Sequence, residues 1–571
     1  MANGQITLEI LEPRGMLSTT ARTGLKSPRI GDLNGKKIAI CSEKPDSTMF
    51  FDSIAELLKE KYPTAEILRF PSPTNPFVPD NTAEVAAACD TWLEGVKTST
   101  SGKKAPDVDL EKLGKPGVTL CVDSLIKQKR AHLDACGMPS VRVVQIPGMD
   151  YFKAKASRKL MDEVANAAFA DIVSALTAPL TEEEQEASDF TYDYSNKKFT
   201  GETYSDAYES FTQYCADNFI GDGMPMTPPT KEAVAKMLTG TSYPPDKVIG
   251  IMEPRSGIAT VEKIAISAVM AGAKPEYLPV IIAMIETITD KNFNQYHIIN
   301  EIMPVVLISG PIIEELGINN ETGYLAPGYR PNSTIARAMS LCTMNIGWRG
   351  MDAYSSPGGM GKPAAYTNYF IPENQKASPW ESFAESNGFN AGDSTITACE
   401  TIAVFKGPTE TLSIASFDEE LMQMSEIFAP KPGIGGKNDA QSARFMVVMH
   451  PTFAHQLAER GFTRESFIQW LHDRNTIDWD KMSEAEREAL KDAAARGQAA
   501  GITPEDCKPG LLVEPFTNPA HVALLVSGSS AGGVAVYWTF CGSTALVDNV
   551  KEPRPFMHKS IRGATLTENG K

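Results

Sequence analysis

The chain has 571 residues, is 42% hydrophobic and 22% charged, and carries a net charge of −17. That balance excludes global disorder, and its acidic surplus argues against a nucleic-acid partner. Nine cysteines, odd in number and irregular in spacing, exclude a disulfide scaffold and lead us to expect reduced thiols in a cytoplasmic protein.

At about 150 residues per domain the length suggests about three to four structural units. The opening, MANGQITLEILEPRG, has no apolar leader core, and residues 1–35 read as an irregular arm ending in a strand. From residue 36 to 70 the pattern is β-α-β: KKIAIC, then the helix-spaced MFFDSIAELLKEKY, then AEILRF. A helix or helix–strand junction covers 83–93, and a polar loop covers 95–106. VTLCV at 118–122 is a strand, 125–136 a helix with Gly137 as its cap, and VRVVQI at 141–146 another strand. Alternating strands and helices predict α/β architecture, with parallel-sheet domains carrying helices on both faces.

TEEEQEASDFTYDYSN at 181–196 is read as a solvated acidic linker. The expected organisation is an N-terminal α/β domain over 1–180, the linker over 181–203, a central α/β domain over 204–428 with Gly/aromatic-rich loops, and a C-terminal α/β region over 429–571. Residues 521–547 contain no Asp, Glu, Lys or Arg, but a Gly/Ser break at their centre predicts two buried strands rather than a membrane span.

Several stretches carry chemistry-bearing residues. The loop at 95–104 combines lysines with the hydroxyls of Ser99 and Thr100, which suits an anion; a plain solvated loop is the alternative. Asp222 lies in a Gly-flanked turn. Glu262 and Lys263 occupy the first turn of a helix capped by Thr260 or Ser256, where such a pair serves either acid–base work or capping. His297 and Glu301, four apart, share a helical face and suit an acid–base couple; without a third ligand they do not specify a metal. The approach Pro327-Gly328-Tyr329-Arg330 delivers a helix expected to be N-capped by Asn332 or Ser333. Its free N–H groups, with Arg330 and Thr334, make a carboxylate or phosphate site. Residues 345–369 interleave Gly with Trp348, Arg349, Tyr354, Lys362 and Tyr366, as functional loops do.

Taken together, these segments resemble the UGSC (seleno)protein family. The pieces that carry the likeness are DGMP at 222–225 with PPT at 228–230, ATVEKIA at 259–265, AVMAG at 268–272 and PEYLP at 275–279. Further ones are SGP at 309–311, ELGIN at 315–319, PGYR at 327–330, NSTIAR at 332–337, EN at 373–374 and SPWE at 378–381. The resemblance implies a selenocysteine-or-cysteine-Gly-Ser-Cys loop after an early strand, and thiol or selenol chemistry by analogy with glycine reductase subunits. Counting back from LEKLG at 110–114 puts that loop on VKTST at 96–100. Val96 then stands at the selenocysteine-or-cysteine position and Ser99 at the second cysteine. Neither supplies a redox nucleophile.

The sequence therefore predicts an enzyme acting on a small anionic or polar metabolite by non-redox acid–base chemistry, lyase-like elimination or hydration. Glu301, His297 and Glu262 are the candidate bases and Lys263 and Tyr354 the candidate acids. Ser99, Thr100, Arg330, Asn332, Ser333 and Thr334 are the candidate anion clamp, set between the first and second regions. No cofactor is predicted and a metal ion is left open; a homo-oligomer without nucleic-acid or membrane partners is expected. The alternatives are a thiol-dependent oxidoreductase using Cys342, or a catalytically silent subunit partnering an active paralogue.

Overall fold

Strand β1 (Ile6–Ile10) comes first, and the arm that follows it leads into β2 (Lys37–Glu43), so the arm begins with a strand rather than ending in one. The computed structural model describes residues 5–43, 47–71, 82–97, 105–154, 157–290, 293, 295, 303–349, 369–406, 416–430, 444–495, 499, 502–530, 534–540 and 557–561. After β2 come α1 (Thr48–Lys61), β3 (Glu66–Pro71), α2 (Thr82–Ala88), β4 (Thr91–Lys97), α3 (Pro106–Lys112) and β5 (Gly117–Val122). The unit closes with α4 (Ile126–Ala135), β6 (Val143–Ile146), α5 (Gly148–Ala154) and α6 (Arg158–Thr177).

The five strands pair in parallel in the order β3-β2-β4-β5-β6. Alternate residues of β2 show why the sheet needs cover on both sides. Ile38 and Ile40 pack with α1 and α6, while Ala39 and Cys41 pack with α2, α3 and α4. The chain steps outward from β2 to β3, then crosses back to β4. The switch point between β2 and β4 is where such sheets open a crevice beyond their strand ends.

Helix α7 (Glu182–Gln185) and strand β7 (Lys197–Gly201) lie in the expected linker. Its acidic residues other than Glu184 are exposed, but the segment is a strap rather than a free linker. Thr181 and Glu184 form a capping box, Arg142 grips Glu184 through Nε and Nη2 at 2.7 and 2.8 Å, and β7 pairs antiparallel with β1. Phe190, Tyr192 and Tyr194 pack edge-on around Trp348, whose indole lies 4.5 Å beneath the Arg14 guanidinium. Aromatic spacing, which a charge count ignores, fixes this segment.

The remainder builds α8 (Tyr204–Asp217), α9 (Lys231–Leu238), the hairpin β8 (Val248–Met252) and β9 (Gly257–Thr260), α10 (Val261–Met270) and α11 (Leu278–Ile288). Next come β10 (Met303–Ser309), α12 (Arg330–Asn345), β11 (Tyr369–Pro372), β12 (Thr395–Lys406), α13 (Phe417–Ser425), β13 (Arg444–Met449), α14 (Pro451–Glu459) and α15 (Arg464–Asn475). A small hairpin, β14 (Ile477–Asp478) and β15 (Leu512–Val513), flanks α16 (Glu484–Ala495); β16 (Val522–Val526), β17 (Ala535–Phe540) and β18 (Met557–Ser560) follow.

Seven of these strands form one sheet, β11-β10-β12-β17-β13-β16, with β18 also on β12. The α/β class is as expected, and this sheet adds two features to it. Strands from both sides of residue 428 share this sheet, so the regions 204–428 and 429–571 are one structural unit. The sheet is also mixed: only β10–β11 and β13–β16 are parallel pairs. Apolar runs of this length announce buried strands but not the direction of their neighbours. The two strands expected at 521–547 are present as β16 and β17, on either side of β13; residues 541–547 lie outside the described ones. Among the described residues no helix is long and apolar enough to cross a membrane.

This sheet curls until its edges meet. The Asn374 N–H donates to the Val526 carbonyl at 2.8 Å, and Ser527 Oγ donates to the Pro372 carbonyl at 2.6 Å. Val305, Leu307, Ile371, Cys399, Met446, Val448, Ala523 and Leu525 fill its inner face. The outer face packs on α10, α11 and α12 at one end and on α13, α14 and α15 at the other.

Candidate functional site

Strand β4 carries a charge into the core. Glu94 is fully buried, opposite Thr119 of β5, and Lys97 is opposite Cys121, so three steps on β4 match two on β5. In a regular strand residues three apart point to opposite faces. The bulge at Gly95–Val96 restores a common face, and the Lys97 ammonium meets the Glu94 carboxylate. Gly95 has φ +120°, and a Cβ there would lie 2.5 Å from the Leu120 carbonyl oxygen. Gly95→Ala is therefore expected to cost roughly 1–3 kcal/mol in a chemical melt; a loss below a few tenths would show the bulge to be adaptable.

Beneath this pair lies a second. Asp107, at the start of α3, and Lys129, in α4, form a buried ion pair. Thr119 Oγ1 sits between the carboxylates, 2.8 Å from Asp107 Oδ2 and 3.3 Å from Glu94 Oε2. Burial disfavours the charge of Asp107, but Lys129 and Lys97 outweigh it and hold the pKa below the ordinary carboxylate range. Burial likewise opposes the Lys129 ammonium, and Asp107 and Glu94 outweigh that and push its pKa up. Two anions and two cations thus balance at the carboxyl ends of β4 and β5. Lys97 is the member that reaches solvent, with 23% of its side chain exposed.

The cysteines nearby are poor nucleophiles. Burial, then Glu94, raises the Cys41 pKa; burial raises that of Cys89 and pushes Cys121 up to about 11. Cys342 lies inside α12, fully buried, and burial pushes it up to about 12. Val96 is 3% exposed and packs in the core with α1 and α6.

Those sequence-predicted residues that the structure describes are not gathered at one place. Glu301, His297, Tyr354, Ser99 and Thr100 lie outside the described residues. Thr260 caps α10 as expected, accepting from the Lys263 N–H at 3.2 Å. The Glu262 N–H donates to the Pro245 carbonyl at 2.8 Å. The Lys263 ammonium is half-buried and donates to the Glu12 carbonyl, while burial pushes its pKa down.

Helix α12 starts earlier than expected, with Tyr329 at the N-cap position and Pro331 in the first turn, where its missing N–H is tolerated. Asn332 and Ser333 are therefore not caps. The Asn332 amide ties down the preceding loop, accepting from the Asn319 N–H at 2.9 Å and donating to the carbonyls of Asn319 and Tyr324 at 2.8 and 3.1 Å. Arg330 donates from Nε and Nη2 to the Gly272 carbonyl at 3.1 and 2.9 Å, and the Thr334 hydroxyl donates to the Arg330 carbonyl at 2.7 Å. Asn332 and Ser333 border a cavity of about 200 Å³ with Tyr324, Pro327 and Phe370. Its described walls lie between residues 324 and 370, and Ser99 and Thr100, expected to face this clamp, lie outside the described residues. Asp222 is held by Arg337 through two bonds of 2.8 and 2.9 Å, a structural pairing.

A wide cleft of about 1020 Å³ lies between α4, α6 and the strap. Its arginines are engaged: Arg22 with Asp134, Arg142 with Glu184, and Arg130 with the Val141 carbonyl. Among the described residues no group of three His, Cys, Asp or Glu side chains is arranged to hold a metal.

Sequence reading missed Glu94, Asp107, Thr119 and Lys129. The available signal was Glu94 itself, a carboxylate inside the apolar run TWLEGV. Residues 9–178 match the UGSC family, a span that includes β4 and its bulge. The segments between 222 and 381 that first suggested the likeness fall outside that span. No curated protein matches the chain.

Proposed function

From the premise that residues 9–178 form a UGSC family domain, we propose that the chain is an enzyme acting on a small anionic metabolite by non-redox acid–base chemistry. The single observation that carries this reading is the charge quartet at the ends of β4 and β5, with Lys97 facing outward from it. A fixed ammonium at the carboxyl end of a strand pairs with a substrate carboxylate and stabilises the enolate-like charge that develops when the neighbouring carbon loses its proton. The base that took the carbon's proton returns it to the departing β-hydroxyl, so that a C=C bond forms as the C–O bond breaks and water leaves; hydration is the reverse. Ser99 and Thr100, next in sequence to Lys97, are proposed to complete the clamp, and His297 or Glu301 to supply the base. The buried thiols with raised pKa values support a thiol-independent course.

The test is hydrogen exchange on carbon. The protein is incubated in deuterium oxide with a panel of hydroxy- and unsaturated carboxylates and followed by NMR. At least one panel member is expected to exchange its α- or vinylic proton, and native iodoacetamide treatment should leave that exchange intact. Absence of exchange across the panel, or its loss in step with labelling of a cysteine, would overturn the reading.

A further inference from the structure

Arg349 belongs to the aromatic-rich stretch that the proposed function does not use. It is 6% exposed, yet among the described residues its guanidinium has no ion-pair or hydrogen-bond partner, and Nε is wholly enclosed. Burial alone acts on it, pushing its pKa down to about 10. Other buried arginines differ: Arg29 pairs with Glu111 at 2.9 Å and Arg464 donates to the Leu524 carbonyl at 3.0 Å. An uncompensated buried cation is costly, and native proteins avoid it unless something supplies the counter-charge.

The backbone that presents Arg349 is locked. Its N–H donates to the Thr343 carbonyl at 3.4 Å, and Trp348 Nε1 donates to the Gly15 carbonyl at 2.8 Å. Trp348 sits in the left-handed region at φ +62°, and Ser256, across the Arg255-to-Gly347 bond, at φ +57°. A Cβ on Gly347 would lie 2.3 Å from the Glu253 carbonyl oxygen. Residues held in such conformations cluster at ligand clamps. A locked backbone and a buried guanidinium without a partner among the described residues together describe a receptor preorganised for a planar pair of oxygens.

We infer that Arg349 anchors a second anion site, at the carboxyl end of α12, that takes a small oxyanion: a carboxylate or a phosphate. This site is independent of Lys97.

Titration calorimetry and thermal melts of the full chain test it, using sodium phosphate and sodium malonate against sodium chloride at equal ionic strength. Saturable binding and a raised melting temperature are expected with phosphate or malonate and not with chloride, and the arm that responds identifies the source chemistry. Arg349→Met should weaken that binding by about 10–150-fold, and Arg349→Lys by less. Binding that survives in the Glu94→Gln/Lys97→Met double variant separates this site from the one proposed above. Should Arg349→Met fail to fold, Arg349→Lys and the anion dependence of the unaltered protein decide. Equal melts in all three salts with no binding heat, or full affinity retained in Arg349→Met, would overturn the inference.

Discussion

Lys129→Met is expected to destabilise the protein by about 3–5 kcal/mol, the cost of leaving a buried carboxylate without its cation. Both partners are enclosed, Lys129 with 4% and Asp107 with 0% of the side chain exposed, so solvent does not screen the loss. The pH dependence gives a second signature. The Asp107 pKa is lowered in the fold, so its contribution is present above the ordinary carboxylate range and disappears only as pH falls through the lowered value. The Lys129 pKa is raised, so its contribution is complete below the ordinary lysine range and is lost as pH rises through the raised value. Between those limits the pair adds no slope. Without Lys129, burial dominates Asp107, and stability should fall as pH rises through its new, higher pKa. Replacing both partners with apolar residues should recover much of the loss. Urea melts between about pH 5 and 9, above the ordinary carboxylate range, decide it. A loss below about 1 kcal/mol with an unaltered profile would mean that the pair is not an enclosed unit.

Lys97→Met should lower turnover of whichever carboxylate exchanges by about 10²–10³-fold, the usual effect of removing one electrostatic stabiliser. That variant alone is ambiguous, because it also strands the Glu94 carboxylate in the core. Glu94→Gln/Lys97→Met removes both charges. It is expected to regain most of the stability and none of the activity. A double variant that turns over at the unaltered rate would assign Lys97 a purely structural role.

Four strands of the first sheet are legible as apolar runs bounded by helical spacing, but β4 (Thr91–Lys97) reads as a junction and a polar loop, because Glu94 and Lys97 interrupt its apolar run. The second sheet was legible as strands and not as a sheet. Its pairings join residues far apart in sequence, such as Thr395 with Ser560, and no local pattern encodes them. Helix α12 is legible, but the capping preference of Asn332 and Ser333 misplaces its start, which Pro331 marks as the first turn. The candidate site itself was half visible. Lys97 stood in the polar loop that drew attention, but a bulge is a pairing property, and only the register against β5 shows that Lys97 shares a face with Glu94.

The shared sheet also sets an order of events during synthesis. The five parallel strands all lie before residue 147, and that unit can fold while the ribosome is still making the rest. Strand β12 has no such freedom. Its partner β10 precedes it, but β17 and β18 emerge only after α13 to α16 have been made. At roughly 5–20 residues per second the nascent chain carries the unpaired edge of β12 for several seconds. An exposed edge of that kind is a template for wrong pairing. Slowing translation past residue 406 should therefore harm the yield of this protein more than slowing it earlier.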